Sequence, residues 1–438
     1  MRIAALRIVC TFVLAVALWA LTGIVLDNSA SAGAYRVLHN FCSKPNCKDG
    51  ANPSSGLAID GAGNLYGTTY DSGAHSGGVV FELSPTGEKN KWQYTVLYAF
   101  CRKSGCPDGA SPDAALIVDT VGNLYGTTHA FGKERGGTAF ELSPNIDHTS
   151  WDYRVLHFFG GNGTNDGFTP NGLTYAGAQT GALYDGVSPL YGTTFAGGTE
   201  GFGSVFEMKL NDKKTRWTEA VIYSFCSLPN CVDGYSPASN LFVQGSTGLF
   251  GTTTVGGTEY NGVVFKLSRD KNNLWSQTIL YNFCALADCA DGSYPIGTLV
   301  MDPAGNLLGT TTYGGSTPCD TGEGCGVLFK VSSAGVETVF YDFCSAQNCT
   351  DGEQPMAGLI TDASGNLYGT TTYGGAVGAG TVFEFSGTYS VLHSFETGCC
   401  KDGGYPYAPL IMDGSGNLFG TGRYAGKNDG GIVFQLKP

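Results

Sequence analysis

The heptapeptide Gly63-Asn64-Leu65-Tyr66-Gly67-Thr68-Thr69 returns unchanged at Gly122–Thr128 and Gly365–Thr371. Close variants begin at Gly305 (Gly-Asn-Leu-Leu-Gly-Thr-Thr) and Gly416 (Gly-Asn-Leu-Phe-Gly-Thr-Gly), and degenerate copies occupy Pro189–Thr194 and Gly248–Thr253. Each copy lies inside a longer unit opened by an Asp-Gly pair, at Asp49, Asp108, Asp166, Asp233, Asp291, Asp351 and Asp402; the steps are 59, 58, 67, 58, 60 and 51 residues. A period of that size marks one supersecondary unit, repeated, whose members lean on one another for a core. A single repeat domain over 33–438 is therefore expected, in place of the two or three domains that 438 residues would otherwise suggest.

Outward from the heptapeptide, the first unit reads as four strands. Gly56–Asp60 is a short strand, Gly61–Asn64 a turn, and Leu65–Thr69 the second strand. A Gly-rich loop, Tyr70–Gly77, leads to the third, Gly78–Leu83, which Ser84-Pro85 ends. In Trp92–Phe100 the residues Val96, Tyr98 and Phe100 alternate with Leu97 and Ala99, the period of a strand. With 67 Gly and only 14% charged residues, the composition disfavours long helices. Four antiparallel strands, repeated seven times, predict an all-β fold, a seven-bladed β-propeller. The ends agree. Tyr35–Phe41 is a fourth-type strand with no first three before it, and Gly431–Leu436 is a third-type strand with no fourth after it. The N-terminal strand can thus complete the last blade and close the ring without an exposed edge. A parallel β-helix, the main rival, has far shorter coils. In the propeller the Cys loops, Asp-Gly pairs and Gly-rich loops share one face, where the loops vary most from unit to unit.

Residues 1–32 read as a secretory signal: Arg2 and Arg7, a mostly apolar Thr11–Leu26, then the small-x-small Ala30-Ser31-Ala32. Without them 22 basic and 36 acidic side chains remain, with no Lys/Arg cluster, which disfavours nucleic acid and anionic membranes as partners. No second apolar span follows residue 32, so no membrane span is expected after signal removal. Five units carry Phe-Cys-x-x-x-x-Cys: Cys42/Cys47, Cys101/Cys106, Cys226/Cys231, Cys284/Cys289 and Cys344/Cys349; Cys319/Cys325 and the adjacent Cys399/Cys400 make an even fourteen after residue 32. Regular, even cysteines in an exported chain read as disulfides. Each loop offers only two thiols and no His recurs beside the pairs, so no metal is expected. For Cys399 and Cys400 an adjacent-residue disulfide and two free thiols both remain open. The third unit lacks a Cys pair and carries an insertion near Gln179–Ser188, so it should be the least regular blade.

The unit Asp-x-x-Gly-Asn-Leu-Tyr-Gly-Thr-Thr, then Gly-Gly, then Gly-x-Val-Phe-Glu-Leu-Ser-Pro, covers nearly all of 35–438 and resembles the GloVer tandem repeat of bacterial exported proteins. The resemblance implies a secreted or cell-surface protein and brings no activity that can be assigned to residues. Members of that family often end in a surface-anchoring segment, and none is read before Pro438. The Gly-Asn-Leu-Tyr turn is also similar to that of periplasmic sensor propellers with Asp-x-x-Gly-Asn-Leu-Trp, which implies binding rather than catalysis.

The seven Asp of the Asp-Gly pairs could rim a calcium or polar-ligand site; a residue needed in every blade reads better as a turn former. His39, His157 and His393 stand where Tyr98, Tyr223, Tyr281 and Tyr341 stand in other units, the mark of a packing site with a polar tip. Trp92, Trp151, Trp217 and Trp275 recur at one position and read as blade-edge packing. Residues the repeat does not require carry more information. Tyr70, His75, His129, Arg135, Glu200, Glu259, Tyr260 and Arg423, all in the variable loops, are the expected ligand contacts around the mouth of the channel. No Gly-x-Ser-x-Gly, His-Glu-x-x-His or phosphate loop occurs, and no cofactor is expected. The leading expectation is a monomeric, non-catalytic propeller binding a glycan, cell-envelope polymer or protein. A secreted polysaccharide hydrolase or lyase using loop carboxylates and a structural surface protein are the alternatives.

Overall fold

The computed structural model describes residues 34–160, 165–246, 248–317, 319, 322–396 and 402–438. The secretory-signal reading of 1–32 and the Cys399/Cys400 pair lie outside them. Residues 33–438 form one compact unit. It consists of seven four-stranded antiparallel sheets in a ring, a seven-bladed propeller. Among the described residues no helix is long and apolar enough to cross a membrane.

Blade 1 runs Ala58–Ile59, Leu65–Thr69, Val79–Pro85 and Trp92–Ala99 from the channel outward. Blades 2 to 6 repeat this order, beginning at Ile117, Gly167, Phe242, Val300 and Ile360. Blade 7 takes its inner three strands from Ile411–Met412, Leu418–Gly422 and Ile432–Leu436 and its outermost from Tyr35–Asn40. There Tyr35 lies opposite Leu436, and Val37 opposite Phe434. The innermost strand of blade 1 is shorter than the expected Gly56–Asp60. Asp60 closes the hairpin turn, its Oδ1 accepting the Ala62 and Asn64 amides. Gly56 is wedged between Pro409 and Ala115 of the neighbouring blades.

The heptapeptide's second glycine has a steric cause. A Cβ on Gly67, Gly126, Gly192, Gly251, Gly309, Gly369 or Gly420 would lie 2.3–2.8 Å from the Cζ of Phe81, Phe140, Phe206, Phe265, Phe329, Phe383 or Phe434, on the third strand of the same blade. Each of these rings is fully buried and meets the phenylalanine that ends the preceding blade's outermost strand. Phe41–Phe81, Phe100–Phe140, Phe159–Phe206, Phe225–Phe265, Phe283–Phe329, Phe343–Phe383 and Phe395–Phe434 have centroids 4.9–5.4 Å apart. Edge-on or tilted aromatic contacts of this kind add about 0.5–1.5 kcal/mol beyond area burial. Trp92, Trp151, Trp217 and Trp275 extend the same interface, their rings 6.1–6.4 Å from Phe419, Tyr66, Tyr125 and Tyr191 of the preceding blade.

The Asp-Gly aspartates accept hydrogen bonds from their own loop or strand in all seven units. Asp291 accepts the Ala285 and Leu286 amides and the Tyr281 hydroxyl; Asp233 does the same for Ser227, Leu228 and Tyr223. Where the tyrosine is replaced, His39, His157 and His393 reach Asp49, Asp166 and Asp402 at 3.5, 3.0 and 3.3 Å. The aspartate's own carbonyl then receives a donor from the next blade: Tyr94, Tyr153, Gln277, Tyr389 and Tyr35 fill this role. Blades 3 and 5 place Glu219 and Glu337 at the donor position. Oε1 of each lacks a hydrogen-bond partner among the described residues. Burial first, and then the adjacent Asp166 or Asp291, push both carboxyls up to about 7.

Six disulfides join the expected pairs Cys42–Cys47, Cys101–Cys106, Cys226–Cys231, Cys284–Cys289, Cys319–Cys325 and Cys344–Cys349. Blade 3 has a nine-residue innermost strand, Gly167–Tyr175, with a register shift between Pro170 and Gly172. Its insertion buries Tyr184 completely, and backbone bonds between Tyr184 and Val118 and between Thr120 and Tyr184 splice the insertion onto blade 2.

Two outcomes follow. Phe41→Ala should cost about 3–5 kcal/mol. Deleting 33–41 should lower the melting temperature further; unchanged stability in both would break the closure. For Glu337 the carboxyl rises from an ordinary 4.5 to about 7, so the folded state holds its proton more tightly. The stability it contributes is complete below pH 4.5 and lost as the pH rises through 7. Glu337→Gln should accordingly leave denaturant stability at pH 4 unchanged and raise it at pH 8 by about 1–2 kcal/mol, discounted for partial exposure. A gain equal at both pH values would contradict this.

Candidate functional site

Behind every Asp-Gly, two further residues precede a proline: Pro53, Pro112, Pro170, Pro237, Pro295, Pro355 and Pro406. The residue before each proline is left-handed, with φ between 52° and 59° at Asn52, Ser111, Thr169, Ser236, Tyr294, Gln354 and Tyr405. Its amide donates to a Gly-rich-loop carbonyl of the preceding blade, as Ser111 does to Gly77 at 2.9 Å. The strained corner thus locks neighbouring blades together and turns the chain inward to the channel. In blades 2 and 7 the residue after the proline meets the residue that follows the second strand's Gly-Thr-Thr or Gly-Thr-Gly, as Asp113 meets His129 and Tyr407 meets Arg423.

The Gly-rich loops lie on the same face as the Cys loops. The Gly73, Gly132, Gly257, Gly315 and Gly375 amides donate to the carbonyls of Cys47, Cys106, Cys231, Cys289 and Cys349. On the other face Asp119, Asp302, Asp362 and Asp413 repeat the Asp60 turn, with their Asn partners tied down.

Three of the eight expected contact residues come together. Arg423 of blade 7 lies 5.8 Å from the Tyr70 ring of blade 1, and Tyr70 lies 6.3 Å from the His129 ring of blade 2. Arg423 also faces Tyr407 at 4.9 Å and Tyr424 at 5.2 Å. Tyr407 continues to Tyr373 of blade 6 through their hydroxyls at 3.3 Å. At the other end His129 Nδ1 meets Asp113 at 3.2 Å, and that hydrogen bond holds the imidazole pKa above its ordinary value. The result is one arc over four blades: Tyr373, Tyr407, Arg423, Tyr70, His129 and Asp113. Arg423 Nε is buried and has no hydrogen-bond partner among the described residues. A half-buried guanidinium framed by tyrosine faces is suited to a polar, acceptor-rich group.

His75, Arg135, Glu200, Glu259 and Tyr260 stand apart from the arc, exposed at the tips of the Gly-rich loops. Arg135 and Tyr260 take left-handed φ values of 68° and 60°, at the corner that Gly201 and Gly378 fill in blades 3 and 6. Their backbone is therefore set by the turn. Tyr373, Tyr407, Tyr424 and Asp113 were not among the expected contacts; the pointer to Tyr407 and Asp113 was variability directly after a recurrent proline. Among the described residues, the strongly exposed phenylalanines and tyrosines are Phe131, Phe202, Tyr260, Tyr294 and Tyr424 in loops and Phe168 and Phe195 towards the ends of blade 3 strands.

No curated protein matches this chain. Among solved structures it is similar to an ancestral GH74 enzyme, with a TM-score of 0.55 and 9% identity over 93% of this chain and 51% of that one. Trypanosoma rangeli sialidase in complex with the inhibitor DANA aligns with a TM-score of 0.39 and 9% identity over 92% and 55%. This chain spans about half the length of either structure, and at such identity the first likeness is one of fold alone. The model of the Gloeobacter/Verrucomicrobia repeat matches residues 20–189, 179–349 and 321–438. That coverage takes in every blade, and the chain belongs to the Gloeobacter/Verrucomicrobia repeat family.

Proposed function

We propose that this protein is an exported, non-catalytic propeller that binds a glycan at the channel mouth, with Tyr70, Arg423, Tyr407 and His129 as the first contacts. The observation that carries the reading is the arc itself. Sugar rings present apolar C–H faces, which stack on tyrosines, and hydroxyl or carboxylate groups, which accept from a guanidinium. Exposed aromatics on the same face extend the surface a long polymer would cross. Export is supported by six disulfides, which suit an oxidising compartment, together with the signal-like residues 1–32.

A hydrolase acting on the glycan would need two carboxylates flanking the bond. The arc contains one, Asp113, and it is engaged by His129. Binding is therefore favoured over turnover.

A glycan array, followed by affinity electrophoresis in the polysaccharides retained, tests the reading. The Tyr70→Ala/Arg423→Ala double variant should lose at least about tenfold in affinity, since each stacked or cation contact is worth about 1 kcal/mol or more. Its melting temperature should stay close to that of the parent. Affinity unchanged in this variant but lost on substituting Asn64, Asn123 or Asn366 would move the site to the opposite face. Reducing ends released from the polysaccharide would overturn the non-catalytic reading.

A further inference from the structure

The junction between blades 2 and 3 departs from the other six. At two further junctions a histidine meets the Asp-Gly aspartate, and there a tyrosine covers it. Tyr94 stacks on His39 at 3.9 Å and Tyr35 on His393 at 3.8 Å, and each hydroxyl bonds the aspartate carbonyl. At the third histidine, His157, the covering position holds Glu219. His157 Nε2 lies 3.0 Å from Asp166 Oδ2 and 3.9 Å from Glu219 Oε2. The side chains of Asp166 and Glu219 are only 10% and 9% exposed. Two carboxylates and one imidazole are thus shut in together, and Glu219 Oε1 finds no hydrogen-bond partner among the described residues.

We propose that His157, Asp166 and Glu219 form a Zn2+ site. Three ligands about 2.0–2.2 Å from a tetrahedral ion stand about 3.4 Å from one another. The two observed separations bracket that spacing, so small side-chain rotations close the shell. Imidazole with carboxylates suits zinc, whereas calcium takes oxygen ligands. Asp166 is already oriented: the Gly167 amide donates to its Oδ1 at 2.7 Å and the Gly160 amide to its Oδ2 at 3.3 Å. Supporting hydrogen bonds of this kind are what hold a metal-binding carboxylate in place. A cleft of about 430 Å³, lined by Arg154, His157, Arg216, Trp217 and Glu219, supplies the route in and room for a water as fourth ligand. Arg154 there is engaged by Glu141 at 2.5 Å. The Tyr281–Asp291–Glu337 junction is a built-in comparison, with the same aspartate and glutamate but a phenol in place of the imidazole.

The test uses the mature, untagged chain, its disulfides intact, any free thiol alkylated, and stripped by a chelator. Calorimetric titration with ZnCl2 alone should show one equivalent bound, and saturating Zn2+ should raise the melting temperature by about 3 °C or more. Co2+ in place of Zn2+ should give the visible absorption of a four-coordinate site. His157→Tyr and Glu219→Gln install side chains that other blades already use at these positions, so both variants should fold. Both should lose the titration and the thermal shift, while Glu337→Gln should keep them. Folded parent protein that binds no Zn2+, or a Zn2+ response that survives His157→Tyr and Glu219→Gln, would overturn the site.

Discussion

A phenylalanine ring lying over a glycine is the contact on which the propeller is built. In each blade the third-strand phenylalanine occupies the space where the second-strand glycine would carry a Cβ. The same ring then meets a phenylalanine handed over by the preceding blade. One short motif therefore sets both the depth of a sheet and its spacing from the next. Glycine is poor in strands on conformational grounds, and these seven have no left-handed φ to excuse them. Close approach of the ring accounts for each one. Because blade 7 borrows Tyr35–Asn40, the first described strand delivers Phe41 to Phe81, and the contact that joins any two blades also closes the ring.

Around this core the repeat uses its polar residues for joinery. The junction aspartate ends a Cys loop, takes a tyrosine or histidine, and offers its carbonyl to the next blade. The proline corner ties each innermost strand to the previous Gly-rich loop. With those tasks recurring from unit to unit, positions beside them are free to differ. The arc of Tyr373, Tyr407, Arg423, Tyr70, His129 and Asp113 occupies such positions, whereas Glu219 replaces the donor at a junction itself. Both proposed sites are departures at single positions of an otherwise repeated frame.

The architecture was legible because repetition makes seven weak strand patterns reinforce one another, and because the ends of the chain are offset by one strand. The disulfide pairs were legible from spacing. The candidate arc was legible only in part. Tyr70, His129 and Arg423 were visible as residues the repeat does not need, whereas His75, Arg135, Glu200, Glu259 and Tyr260 met the same criterion and lie at separate loop tips. Whether a loop residue points to the channel or to solvent depends on its place relative to the left-handed corner, and backbone angles are not written in residue type. Tyr373 recurs in sequence as Tyr313, and Tyr424 stands at the same place in the last unit, so neither departs from the repeat. The His157, Asp166 and Glu219 trio joins two blades and a loop, so no local spacing announced it.

Gly67→Ala, followed by denaturant unfolding, tests the founding contact most directly. Alanine relieves the entropic cost of glycine in a strand, and on that ground alone it should stabilise by about 0.5–1 kcal/mol. The new methyl would stand 2.6 Å from Phe81 Cζ and 2.8 Å from Leu57 Cδ2, with Phe81 held on its far side by Phe41. The packing account predicts the opposite sign, a loss of about 1–3 kcal/mol. Stability unchanged or increased in Gly67→Ala would contradict it.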